Sequence, residues 1–157
     1  MQRSISDIFQ ELLGNRILFC CFFSWLSAQV IKYVIDGLRH RGWKLSSLFS
    51  SGGMPSSHTS SVVSLTLSVG FTEGFGSAVF TACFVFALIV MYDAAGVRFE
   101  TGRQGSLLNS LLDELKNWIE NPLMENTEMK ERVGHSPLEI LAGAVLGALF
   151  SILFFVL

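Results

Sequence analysis

Four apolar runs, at 17–38, 59–71, 75–97 and 138–157, alternate with polar segments along a chain of 157 residues. A helix rises about 1.5 Å per residue, so about 20 apolar residues cross a hydrocarbon core about 30 Å thick. Lipid offers no partners to backbone N–H and C=O groups, so only helices or closed barrels can span it. The runs are apolar throughout rather than alternating in and out, which selects helices. The expected fold is therefore all-α: a polytopic transmembrane helical bundle of about four spans, forming one integral membrane domain over 1–157. The run at 59–71 is short for a span, so its start must lie near the membrane surface or sunk below it.

Composition agrees with lipid as the main solvent. Charged residues make up 15% of the chain, against about 25% in soluble domains. The net charge is −2 and no basic stripe occurs, so nucleic acid is not an expected partner. Cys20, Cys21 and Cys83 all lie inside apolar runs without CxxC spacing. They read as small buried hydrophobes rather than as a disulfide or metal site. No HExxH, cysteine cluster or carboxylate cage is present, so neither a metal nor another cofactor is expected. The first run is read as a retained helix, not a cleaved leader. Asp7 and Glu11 accompany Arg3 and Arg16 ahead of it, and Leu26-Ser27-Ala28 is a poor cleavage site.

Two segments have helical periodicity at the membrane surface. Ile5, Ile8, Phe9, Leu12 and Leu13 recur on one face near the N-terminus. Leu107, Leu108, Leu111, Leu112, Leu115, Trp118 and Ile119 do so in the polar stretch 98–137, which predicts an interfacial amphipathic helix. Ser136-Pro137 opens the last helix, with proline where the first turn tolerates it. Gly143-x-x-x-Gly147, flanked by Ala144 and Ala148, gives that helix a face for close contact. The face serves either packing within the chain or a homodimer through the last helix.

Four crossings put segments 39–57 and 98–137 on one side of the membrane, and Thr72-Glu73-Gly74 with both termini on the other. The two motif-bearing segments hold Arg39, Arg41, Lys44, Arg98, Arg103, Lys116, Lys130 and Arg132, whereas the opposite side has Arg3 and Arg16. The positive-inside rule then puts the motif face in the cytoplasm of a cell membrane.

The motifs converging on that face suit a phosphate group. In Gly52-Gly53-Met54-Pro55-Ser56-Ser57-His58, the glycines allow a tight turn and the serines offer hydroxyls. The helix start that follows supplies N–H groups and a positive dipole end. Gly53, Ser56 and Ser57 are candidate phosphate-binding residues, with His58 in the first turn. The plain alternative is a Gly-Pro loop with a serine cap. Lys32 and Asp93 are ionisable residues inside apolar spans at similar depth; such residues face the bundle interior and usually serve function. They are expected to pair, either within the site or as a structural bridge. Arg98 ends its helix where a guanidinium can fork onto phosphate oxygens or reach lipid headgroups. His135 and Glu139 are four apart and share a helix face, so the carboxylate can fix the histidine tautomer.

GGMPSSHTS, YDAAGVR and ERVGHSPLEILAGAVLG, over about 17–150, resemble the divergent membrane branch of the type 2 phosphatidic acid phosphatases. That branch is often described as acid phosphatase/vanadium-dependent haloperoxidase-related proteins. The better-known phosphatases of the superfamily carry KxxxxxxRP, PSGH and SRxxxxxHxxxD. By that resemblance Pro55-Ser56-Ser57-His58 stands for PSGH, with Ser57 in place of glycine, and His135-x-x-x-Glu139 stands for HxxxD. The resemblance implies His135 as nucleophile, Glu139 as its orienter and His58 as leaving-group acid. Asp93, as an ionisable residue inside a span, is a further candidate catalytic residue. Met129 stands where SRxxxxxH has arginine, so Arg98 is the expected substitute, ahead of Arg132. Lys32 or Lys44 stands in for the missing KxxxxxxRP lysine. The expected activity is metal-independent hydrolysis of a lipid phosphomonoester or pyrophosphate, with a phosphorylated lipid and the bilayer as partners. The alternatives are a non-catalytic lipid-phosphate binder or carrier, and a structural membrane protein.

Overall fold

The computed structural model describes residues 4–40, 52–116, 129 and 134–157. They form α1 (Ile5–Leu13), α2 (Arg16–His40), α3 (Ser57–Glu73), α4 (Ala78–Ala95), α5 (Val97–Lys116) and α6 (Pro137–Phe155). No strand occurs among the described residues. Three stretches are long and apolar enough to cross a membrane: Arg16–Arg39, Ala78–Leu115 and Pro137–Phe155.

The short run is the one that departs from expectation. It forms α3, whose 17 residues are rich in serine and threonine, and which is not among those three stretches. Instead α3 packs against α6, α2 and α4. Its buried residues include Ser57, Thr59, Ser60, Ser64, Thr66 and Ser68. Helices in lipid gain little from hydrophobic burial, so small residues and interhelical hydrogen bonds hold them together. Ser24 Oγ of α2 lies 2.6 Å from Ser60 Oγ. Ser151 Oγ of α6 donates to the Ser64 carbonyl at 3.0 Å, and Thr66 Oγ1 donates to the Cys83 carbonyl of α4 at 3.2 Å. Such a bond contributes about 0.6 kcal/mol on average, so these fix register more than they supply stability.

Close backbone approach carries more of the fit. A Cβ on Gly143 would meet the Ser56 carbonyl, and one on Gly147 the Ser60 carbonyl. The glycine face of α6 is thus covered by α3 of the same chain, the first of the two uses that its sequence allows.

The same contacts fix direction. Moving up α3 from Ser60 to Ser64, the partners run down α2 from Ser24 toward Cys20, and up α6 from Gly147 to Ser151. So α3 is antiparallel to α2 and parallel to α6. The starts of α3 and α6 and the ends of α2 and α4 meet at one end of the bundle. At the other end the Arg16 guanidinium donates to the Phe154 carbonyl and lies 5.2 Å from the centroid of the Phe155 ring. There it meets the negative dipole end of α6.

Two surface helices complete the chain. α1 begins with a capping box between Ser4 and Asp7 and exposes Ile5, Phe9 and Leu13. α5 follows α4 after a break at Gly96 (φ −103°, ψ −87°) and exposes Leu107, Leu108, Leu111 and Leu115. It is the expected amphipathic helix, and it starts well before the leucine face that announced it.

Candidate functional site

Two helix starts build the site. At the first, Ser56 caps α3: its hydroxyl accepts from the Thr59 N–H at 3.3 Å and from Thr59 Oγ1 at 3.0 Å. Its own N–H donates to the Glu139 carbonyl at 3.0 Å. The loop before it turns through Gly53 at φ +100°, a region costly for any residue with a Cβ. Gly53 also rests against the aliphatic stem of Lys32, whose Cγ lies 3.3 Å from where a Cβ would be.

At the second, Ser136 caps α6 in a capping box with Glu139. Glu139 Oε2 accepts from the Ser136 N–H at 3.1 Å and faces His135 Nδ1 at the same distance. One carboxylate oxygen therefore serves both the helix cap and the imidazole. The His135 N–H donates to the Ala94 carbonyl of α4 at 3.0 Å. Gly134, at φ +96°, lies so close to the Arg98–Phe99 backbone that a Cβ would overlap it. His135 is held in this way by α4, α5 and α6 together.

This geometry defines the tautomer. With Nδ1–H donated to a carboxylate, a neutral ring carries its lone pair on Nε2. His135 is 1% exposed, and Nε2 has no hydrogen-bond partner among the described residues. The Gly53 backbone also acts on the ring and favours its protonated form. Burial pushes the His135 pKa below the ordinary imidazole value. The hydrogen bond and charge of Glu139 oppose that shift, and the Lys32 charge adds to it. Burial thus favours the neutral ring, with its lone pair on Nε2.

His58 is exposed, and its ring centroid lies 6.2 Å from that of His135, at an interplanar angle of 59°. The two histidines that lie 77 positions apart in the chain come together as the motifs suggested. Lys32 is 1% exposed, with Asp36 and Glu139 as the carboxylates whose charge acts on it. Arg98 is paired with Asp93, Nε to Oδ2 at 2.6 Å, and both are partly exposed. Its two Nη nitrogens carry the remaining donors of the guanidinium.

Two expectations change here. Lys32 and Asp93 were matched by depth, but the partner of Asp93 is Arg98 and the carboxylates acting on Lys32 are Asp36 and Glu139. Depth in a span says nothing about which way around the helix a side chain faces. Ser56, expected on a phosphate, accepts twice at its hydroxyl in capping α3 and donates its N–H to α6, which leaves its O–H as the donor not used in the cap. Ser57 is buried beside it. Lys44 and Arg132 lie outside the described residues.

A cleft of about 490 Å³ opens at this end of the bundle. Gly53, Gly134, Ser136 and Glu139 line it together with Asp36 and Arg39 of α2, and Phe99 and Arg103 of α5. Asp36, Arg39 and Arg103 were not singled out from sequence. For the first two the signal was present: positions 32, 36 and 39 follow the four- and three-residue steps of one helix face. Met129 is described, and its backbone is bonded in both directions to the Asn109 side chain of α5.

A sequence profile described as Divergent PAP2 family matches residues 13–150. The chain belongs to the divergent PAP2 family. The match runs from before the first span to the last helix and takes in Lys32, His58, Asp93, Arg98, His135 and Glu139. A relative from Bacillus subtilis (strain 168), the "Uncharacterized membrane protein YuiD", is 34% identical over 150 residues, covering 90% of this chain and 95% of its own. No solved structure matches. With its three membrane-length apolar stretches and a membrane-protein relative, this divergent PAP2 family member is an integral membrane protein.

Proposed function

We propose that this protein hydrolyses a lipid phosphomonoester or pyrophosphate through a phosphohistidine, without a metal. The observation that carries the reading is the buried His135 ring, with Nδ1 held by Glu139 and Nε2 without a hydrogen-bond partner among the described residues. Nε2 attacks phosphorus, a P–N bond forms and the P–O bond to the leaving group breaks. His58, in its protonated form, gives its proton to the departing oxygen. Water then attacks the phosphohistidine, His58 takes up its proton, and phosphate and free His135 are released. Lys32 and the Nη groups of Arg98 offset the charge on the phosphoryl oxygens, the term that dominates such reactions. The carboxylates Asp36 and Asp93 limit that offset by holding part of each cation. We further propose that this face is cytoplasmic, since Arg39, Arg98 and Arg103 gather there while Arg16 lies at the other end.

A second reading, a non-catalytic binder or carrier of lipid phosphates, is favoured by one feature. Met129 occupies the place of the motif arginine, and Arg98, its substitute, is already engaged by Asp93. Purified protein in detergent separates the two when given phosphatidic acid, phosphatidylglycerophosphate and a polyprenyl pyrophosphate. Turnover predicts phosphate release abolished by His135→Ala and reduced about 10²- to 10⁴-fold by His58→Ala. Binding without release, weakened by Arg98→Ala, selects the carrier. Binding unchanged in all three variants overturns both.

A further inference from the structure

A second hollow, of about 400 Å³, lies between α2 and α6 and is lined by apolar side chains alone. It does not stand apart from the polar cleft: Ile35 and Met54 line both. On α6 its wall is formed by Leu138, Leu141, Val145 and Leu149, positions that follow one helical face. Ala142 sits among them and leaves room where a larger side chain would fill the groove. Leu138 and Leu149 stand eleven positions apart, roughly 16 Å along the axis. That is about half of a hydrocarbon core about 30 Å thick, so the groove starts at the cleft and reaches the depth of one leaflet.

The hollow at the other end of the bundle, lined by Leu13, Arg16, Phe19, Phe23 and Leu153, shares no residue with the cleft. Continuity with a polar site therefore distinguishes the α2/α6 groove from other lipid-facing surface. A ligand with a charged head and one long apolar tail matches this pair of spaces. A free phosphate or a soluble phosphate ester would leave the groove to ordinary membrane lipid.

We infer that the α2/α6 groove holds a hydrocarbon chain of the lipid phosphate, which enters sideways from the leaflet on the motif side. Ile35 and Met54 form the junction where tail gives way to head, and Ala142 sets the width that the tail requires. The inference rests on the reading of this end of the bundle as a lipid-phosphate site, where Glu139 both lines the cleft and holds His135, but not on turnover.

The test is photocapture in vesicles of phosphatidylcholine containing a minor share of phosphatidic acid. p-Benzoylphenylalanine is introduced at Val145, which faces lipid and is about half exposed, and as a control at Ile89 on the lipid face of α4. Mass spectrometry reads the captured lipid. Phosphatidic acid enriched several-fold at Val145 relative to Ile89, and lost when Ala142→Trp is added, supports the groove. Capture in bulk proportions at both positions overturns it, even if phosphate release is observed. Enrichment that survives both Ala142→Trp and Leu141→Trp also overturns it, since the tail then lies elsewhere. Leu141 is lipid-exposed, so its replacement tests the groove should the Ala142 variant fail to fold. Enrichment without phosphate release retains the groove and sinks the catalytic reading alone.

Discussion

Replacing Glu139 with glutamine separates the structural and chemical duties of one oxygen atom. In the wild type, Oε2 meets both the Ser136 N–H and His135 Nδ1, each at 3.1 Å. Glutamine keeps an acceptor oxygen in that place and loses the charge. Glu139→Ala removes the acceptor, at a cost of about 1 kcal/mol for the cap and a further 1–3 kcal/mol for a buried Nδ1–H left without a partner. Glu139→Gln is expected to recover most of that stability while turnover stays depressed, because an imidazolium forming opposite a neutral amide is poorly stabilised. The pH dependence sharpens the test. Burial holds the His135 pKa below the ordinary value, so the unfolded chain binds a proton that the folded chain refuses. Stability is then complete above the ordinary histidine value and falls as pH drops through it. Glu139 opposes the depression, so its neutral replacement widens the acid-sensitive window. Lys32 and His58 face the same ring and are unchanged in this variant. Thermal unfolding in detergent at about pH 5.5 and about pH 7.5, either side of the ordinary histidine pKa, measures the effect. A glutamine variant no more acid-sensitive than wild type, with full phosphate release, refutes the assignment of Glu139 as the orienter of His135.

Three other perturbations test the framework around that ring. Gly147→Leu drives a side chain into the Ser60 carbonyl and is expected to lower the thermal midpoint in detergent by the equivalent of at least 1–3 kcal/mol; an unchanged midpoint would mean α3 and α6 do not pack this closely. Ser24→Ala removes one interhelical hydroxyl contact and should cost only about 0.6 kcal/mol, so a loss several times larger would assign that hydroxyl pair more than a register role. Asp93→Asn leaves stability nearly unchanged, since exposed ion pairs contribute about 0–1 kcal/mol. Freed of its carboxylate, Arg98 should bind phosphatidic acid several-fold more tightly in an equilibrium assay, and weaker binding would place Asp93 rather than Arg98 on the ligand side.

The helices were legible because their signals are local. Continuous apolar runs announced the spans of α2, α4 and α6, and Ser136-Pro137 marked the start of α6. Crossing parity brought His58 and His135 to one end without any knowledge of contacts, and their rings lie 6.2 Å apart. The place of α3 was not legible in the same way. Its length made 59–71 look short for a span, and its serines are what fit it among three more apolar helices. Hydropathy measures the match of a segment to lipid, and this segment has little lipid to face. Ser56 is a related case. A hydroxyl at a helix start serves a cap or a ligand equally well in sequence, and only the positions of Thr59 and Glu139 decide between them.

The pairing of Lys32 is the most instructive difference. Two charges at equal depth in separate spans invite a bridge, because a lone charge in lipid is costly. Each cation nevertheless has a carboxylate near it in sequence: the charge of Asp36, one turn on along α2, acts on Lys32, and Arg98 is paired with Asp93 just across the Gly96 break. A carboxylate one turn away on the same helix needs no tertiary precision, whereas a Lys32–Asp93 bridge would require α2 and α4 to present both side chains to each other. At the motif end of the bundle Lys32 is buried and Arg98 partly exposed, and each has a carboxylate's charge acting on it. A phosphate arriving there competes with Asp36 and Asp93 for charges that already have partners. An anion of higher charge competes better, so the same carboxylates that weaken binding of a singly charged diester headgroup penalise a phosphomonoester or pyrophosphate less. In this arrangement the acidic residues act as the selective element, and neutralising both together should erode discrimination between phosphatidic acid and phosphatidylglycerol while raising the affinity for each.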